Sequence, residues 1–96
     1  MRIIYTKTAL RDLANIYEYQ ALNWPAVTSR FNMRLAAIER YIGEFPRGAP
    51  KLRRREDVRA IAFGSFPYRL FYREIAGTIE VLTIRHTSRR PWRGAL

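Results

Sequence analysis

Tyr68-Arg69-Leu70-Phe71-Tyr72-Arg73-Glu74-Ile75-Ala76-Gly77-Thr78-Ile79-Glu80-Val81-Leu82-Thr83-Ile84-Arg85-His86 is the stretch that decides the fold. Its two runs, Tyr68 to Ile75 and Thr78 to His86, are rich in the aromatic and β-branched residues that suit a pleated sheet. Ala76-Gly77 between them has the length and composition of a tight hairpin turn. Upstream, Val58 to Phe63 reads as a further strand, joined to the hairpin by the turn Gly64-Ser65-Phe66-Pro67. The C-terminal half is therefore predicted to be a three-stranded antiparallel unit.

The N-terminal half has a different period. Arg2 to Tyr5 is a short β-type run, and Thr6 can cap a helix with its hydroxyl. Leu10, Leu13, Ile16/Tyr17 and Gln20/Ala21 then recur at helical spacing. Asn23-Trp24-Pro25 breaks that helix, and Pro25 suits the first position of the next, where its missing N–H costs nothing. The second helix carries the stripe Val27, Phe31, Leu35, Ile38, Ile42 and Phe45, with Arg30, Arg34 and Arg40 elsewhere on its surface. Gly43 weakens its end, and Phe45-Pro46-Arg47-Gly48 stops it. Two such helices must bury their stripes, and the sheet is the one surface available. The expectation is an α+β domain of order β-α-α-β-β-β, a helical hairpin packed on a small, mainly antiparallel sheet. One domain over 1–96 is expected, with a basic tail over 87–96. The second sheet face and the tail would be left free for a partner.

Composition narrows the function. Hydrophobic residues make up 48% of the 96 residues, ordinary for a globular chain and too many for a disordered one. There is no cysteine, which removes disulfides, thiolate metal sites and a cysteine nucleophile, and fits a reducing cytoplasm. No run approaches the roughly 20 apolar residues of a membrane helix, and Met1 to Leu10 lacks the pattern of a signal peptide. A cytoplasmic protein is the expectation. The net charge is +10, and it is lopsided: +2 over residues 1–46 and +8 over residues 47–96. Lysine occurs only at Lys7 and Lys51, so nearly all the positive charge is arginine, whose planar fork grips carboxylates and phosphates at two points. Such a field favours an acidic or polyanionic partner.

The chemistry of the residues leaves few enzymatic options. The 5 glycines are scattered, so no nucleotide loop is present. His86 is the one histidine, and no carboxylates stand at a metal-ligand spacing, so neither a metal nor a cofactor is expected. No Gly-x-Ser-x-Gly elbow supports a serine hydrolase. Metal-free RNA cleavage stays open, because arginine can stabilise a charged phosphorane while His or Glu moves protons. His86 ends the last strand beside Arg85, Arg89 and Arg90, with Glu80 and Tyr72 on neighbouring strands; against cleavage, a single histidine at a strand end is more often structural. The run Lys51-Leu52-Arg53-Arg54-Arg55 reads equally as a contact for phosphate or an acidic segment and as a solvated loop. Tyr68, Phe71 and Tyr72 read as sheet core more readily than as base-stacking rings. Trp24 reads as a packing wedge. Trp92, in a polar tail between Arg90 and Arg93, reads as a docking residue.

At this point five segments resemble a known family. Ala9-Leu10-Arg11-Asp12-Leu13-Ala14-Asn15-Ile16-Tyr17-Glu18-Tyr19 is similar to the opening helix of ParE-type plasmid-stabilisation toxins. Phe31, Ile38 and Phe45-Pro46-x-Gly48 look like that family's next element. Arg59 falls where those toxins carry the arginine of their next strand. Pro67-Tyr68-Arg69-Leu70-Phe71-Tyr72 resembles their Pro-Tyr-Arg signature, and Ile79-x-Val81-Leu82-x-Ile84-Arg85-His86, followed by Arg89-Arg90, resembles their ending. The resemblance spans about residues 1–92. It implies a RelE/ParE-like fold and a toxin of a type II toxin–antitoxin pair. It also implies a cognate ParD-like or related antitoxin, with an acidic, amphipathic segment, through which alone operator DNA would be bound. ParE-type members inhibit DNA gyrase; RelE-type members cleave mRNA in the ribosomal A site. This sequence departs from the RelE type in having no lysine cluster on its strands and Trp92 near the place of a tail tyrosine. On this reading Arg59, Arg69, Arg85, Arg89, Arg90 and Trp92 are the partner-binding residues, with Arg53, Arg54 and Arg55 as an outer contact. Gyrase inhibition is the first expectation, and an mRNA endonuclease using His86, Arg85, Arg69 and Glu80 is the alternative.

Overall fold

A computed structural model describes residues 1–55 and 57–88. The chain runs β1 (Arg2–Tyr5), α1 (Lys7–Asn23), a 3₁₀ turn (Pro25–Val27), α2 (Thr28–Glu44), β2 (Arg59–Ala62), β3 (Tyr68–Ile75) and β4 (Thr78–His86). This is the α+β order read from the sequence. The sheet order is β1-β4-β3-β2, with β1 parallel to β4 and the other pairs antiparallel. Ala76 and Gly77, both at positive φ (50° and 76°), form the hairpin turn that sets the β3–β4 register. None of the described helices is long and apolar enough to cross a membrane.

Both helices lie on one sheet face. Phe31, Leu35, Ile38 and Ile42 of α2 and Ala9 and Ile16 of α1 bury against Leu70, Tyr72, Ile79, Val81 and Ile84. The stripe of α2 was read in the right phase, and that of α1 at Leu13, Ile16, Tyr17 and Gln20 but not at Leu10 or Ala21. Ala9 is fully buried and Leu10 is exposed. Phe45 and Trp24 are also largely exposed, so Trp24 is not the packing wedge that its position suggested.

The second sheet face departs from expectation too. It is not left bare: Val58, Ala60, Phe71 and Leu82 form a buried cluster there, with Leu52 packed against it. Residues 50–52 reach it by pairing along the outer edge of β2, through Leu52 N–H to Val58 O and Ala60 N–H to Pro50 O.

β4 needs special treatment beyond the end of β1. The β3–β4 register shifts between Phe71 and Tyr72, leaving Leu82 as an extra residue on β4, a bulge. From there α1 takes over from β1. Thr6 caps α1 by accepting from Ala9 N–H (3.1 Å) while its own hydroxyl donates to Leu82 O (2.8 Å). Asp12 Oδ2 then accepts from the Thr83 hydroxyl (2.5 Å) and from Ile84 N–H (3.0 Å). An edge strand that would otherwise expose unpaired donors is thus closed by a helix.

Candidate functional site

An open groove of about 1160 Å³ runs between the helices and the far end of β4. One wall is α2, which presents Arg30, Met33, Arg34, Ala37 and Arg40; the spacing of three and four places them along one face. Tyr19 of α1 and Trp24 line it at the helix turn. The third side is Ser65–Tyr68 with Ile84, Arg85, His86 and Ser88. Trp24 (64% exposed), Met33 (71%) and Tyr19 (51%) carry the exposed apolar surface. Arg34 is fixed where its guanidinium crosses Gly64: a Cβ there would lie 2.8 Å from it, and φ at Gly64 is +68°. Burial, and then the neighbouring Tyr19, pushes the Tyr68 hydroxyl above the usual tyrosine range, so it stays protonated. Asp12, the one acid among the described lining residues, is engaged by Thr83 and Ile84.

The hairpin residues divide between the two faces. Directly paired residues share a face, and neighbours along a strand alternate. Tyr68 is paired with His86, and Leu70 with Ile84, on the helix side. The His86 ring meets Tyr68 edge-on at 5.5 Å. Its Nδ1 accepts from Ser88 N–H (3.1 Å) and lies 2.6 Å from Ser88 Oγ. Arg69 and Arg85 are paired across the two strands; Arg85 also lines the groove beside His86, while Arg69 lies over the Phe71 ring on the other face at 5.4 Å. Glu80 is on that face as well, but six residues before His86, roughly 17–20 Å along the strand, and bound to Arg73 Nε at 2.8 Å. The four residues considered for RNA cleavage therefore do not converge on one reacting atom.

The remaining arginines have distinct surroundings. Arg59 Nη1 donates to Ala49 O (2.7 Å) and Arg47 O (3.3 Å), so its guanidinium ties down the loop that follows α2. Arg73 and Arg55 both pair with Asp57, at 3.7 and 3.9 Å. Arg53 and Arg54 are exposed on that loop. Arg89, Arg90 and Trp92, and the tail beyond Ser88, lie outside the described residues. Among the described residues no group of three His, Asp or Glu could hold a metal. Sequence reasoning missed the groove. Its one signal was Arg30 and Arg34, four apart on one helix face.

The comparisons with known proteins agree with this architecture. A family model described as ParE toxin of type II toxin–antitoxin system, parDE, matches residues 3–91. A solved chain of the chromosomal ParDE toxin–antitoxin system from P. aeruginosa is similar with a TM-score of 0.77 and 19% identity, covering 92% of this chain and 97% of that one. The isolated RelE toxin of E. coli is similar with a TM-score of 0.59 and 25% identity, covering 93% and 86% respectively. No curated protein sequence matches significantly.

Proposed function

The chain belongs to the ParE toxin family of type II toxin–antitoxin systems, and on that premise we propose that it inhibits DNA gyrase by docking to it and is neutralised by a cognate antitoxin in the same cytoplasm. The observation that carries the choice of inhibitor over nuclease is the division of the hairpin residues. General acid–base cleavage needs its groups within hydrogen-bond reach of one phosphate and its 2′-hydroxyl. Here His86 and Arg85 line the groove beside the helices, Arg69 lies over Phe71 on the other face, and Glu80 is distant and paired with Arg73. Docking needs no such convergence.

The antitoxin is a protein with an acidic, amphipathic segment. Arg69 and Arg85, held on strands, lose less side-chain entropy on binding it than the loop residues Arg53, Arg54 and Arg55. Arg59 contributes by holding that loop. The tail, with Arg89, Arg90 and Trp92, supplies the gyrase contact, an arginine–tryptophan pairing typical of binding hot spots.

The test is to induce the wild type and His86→Ala in cells and assay plasmid supercoiling and mRNA integrity side by side. Lost supercoiling with intact mRNA, unchanged by His86→Ala, is the expected result. Normal supercoiling with mRNA cut at ribosomal A sites, abolished by His86→Ala, would establish the nuclease instead.

A further inference from the structure

We propose that the groove between α2 and the end of β4 binds single-stranded nucleic acid, with α2 arginines on the phosphates and the rings of Trp24 and Tyr19 stacked on bases. The proposal is independent of gyrase inhibition and of the antitoxin. Three observations carry it.

Arg30, Arg34 and Arg40 line one wall, and among the described residues none of them has an acidic partner. Two carboxylates of the helices are engaged elsewhere, Asp12 by β4 and Glu39 by the Tyr5 hydroxyl at 2.5 Å. A row of unneutralised guanidinium groups is a site for polyanions.

The exposed apolar surface between these arginines is mostly ring. Trp24 and Tyr19 are more than half exposed, and Tyr68 and Phe66 are half-buried beside them. Ile16, Val27, Ala37 and Ile84 of the lining are buried or half-buried, which leaves Met33 and Pro67, far apart in the chain, as the exposed aliphatic residues. An acidic amphipathic helix would need a continuous aliphatic stripe to bury its own. Rings interleaved with arginines suit bases and phosphates instead.

The groove is open and is closed on its third side by the Ser65–Tyr68 turn, so bases must leave a stack to reach the rings. That favours a single strand over a duplex.

The probes are end-labelled oligo-dT and oligo-U strands, a duplex of equal length, and an acidic amphipathic peptide, each titrated into the full chain and followed by fluorescence anisotropy. If three arginines each neutralise one phosphate, log affinity falls with log salt at a slope of about −2, about a twentyfold loss between about 50 and 200 mM salt. Arg30→Glu with Arg40→Glu should weaken binding about tenfold or more and flatten the slope to about −0.7. Trp24→Ala should weaken it about fivefold or more. In a Trp92→Phe chain, Trp24 is the remaining tryptophan, and its fluorescence should be quenched on binding. Arg53→Glu with Arg54→Glu should change little. Arg30, Arg40, Trp24, Arg53 and Arg54 are exposed, and an unchanged melting temperature will confirm that each variant folds. The proposal is overturned if the single strands do not bind at low salt. It is equally overturned if the duplex binds as well as the single strands, if the loop variant loses as much as the groove variant, or if only the acidic peptide is bound. The oligo-dT and oligo-U arms distinguish a DNA from an RNA strand.

Discussion

Asp12→Ala should be among the most destabilising polar substitutions in the domain. One carboxylate oxygen closes β4 past the end of β1, accepting from the buried Thr83 hydroxyl at 2.5 Å and from Ile84 N–H at 3.0 Å. Hydrogen bonds to a charged acceptor contribute about 1.5–3 kcal/mol each. Asp12 itself is half-exposed, so water can replace part of what is lost, and the low end applies. Two bonds then give about 3 kcal/mol, a large share of the roughly 5–15 kcal/mol of a whole domain. For a chain of this size that lowers the melting temperature by roughly 12–24 °C. Asp12→Asn retains an oxygen that both donors can reach and loses only the charge, for about 1 kcal/mol. Thr83→Val keeps the shape and removes one donor. Asp12→Ala should therefore cost about 1 kcal/mol less in the Thr83→Val background than alone. The assay is urea unfolding of the wild type, the three single variants and the double variant, with native-state hydrogen exchange at the Ile84 amide, whose protection should drop towards that of a local opening in Asp12→Ala. The reasoning is refuted if Asp12→Ala costs under about 0.5 kcal/mol, if Asn is as damaging as Ala, or if the cycle shows no coupling.

Four tyrosines make the domain sensitive to alkali. Tyr5, Tyr17, Tyr68 and Tyr72 all titrate above the usual tyrosine value, burial being the largest cause in each. The unfolded chain ionises first, so their contribution is complete below about pH 10 and is lost as pH rises further; urea midpoints measured across that range should fall, and less so in Tyr72→Phe. Arg59→Ala should cost about 1–2 kcal/mol of stability through the freed Ala49 and Arg47 carbonyls, seen as a lower urea midpoint. Against the antitoxin, Arg85→Ala should cost about 1–3 kcal/mol and Arg54→Ala about 1 kcal/mol or less, the latter erased by salt; titration calorimetry giving the reverse order would contradict the strand-first ranking. A chain ending at Ser88 keeps the Thr87 N–H to Pro67 O bond at 2.9 Å; it should fold, bind antitoxin and lose toxicity in a growth assay, and a toxic truncated chain would remove the tail from the mechanism.

The hairpin was legible because its information is local: Ala76-Gly77 admits positive φ, and that turn fixes which residues of β3 and β4 face each other. Other features depend on distant contacts. Whether Ala9 or Leu10 faces the core is decided by how α1 is set on the sheet, and periodicity weighted by side-chain size picks the wrong one. The bulge at Leu82 is set by where β1 stops, and Asp12 reads as a surface acid until β4 is placed beside it. The cover on the second face comes from residues 50–52, which look like part of a basic loop and pair as a strand edge.

The site divides along the same line. The distance of Glu80 from His86 follows from counting along the strand, and the separation of Arg69 from His86 follows from alternation across the paired strands. The sequence already contained the case against a nuclease built from these four residues. The groove could not be found that way. Every amphipathic helix has a polar face, and Arg30, Arg34 and Arg40 look like the ordinary solvated one until the fold sets Trp24, Tyr68 and His86 across from them. What distinguishes the arginines is that among the described residues none has an acidic partner, a property of the pairs that the fold makes and not of the helix. The basic excess of the chain therefore has two separate expressions. On the hairpin and tail it follows from residues that sequence comparison with toxins picks out. On α2 it follows from tertiary placement, and only substitutions that separate the two faces will show which of them each anionic partner uses.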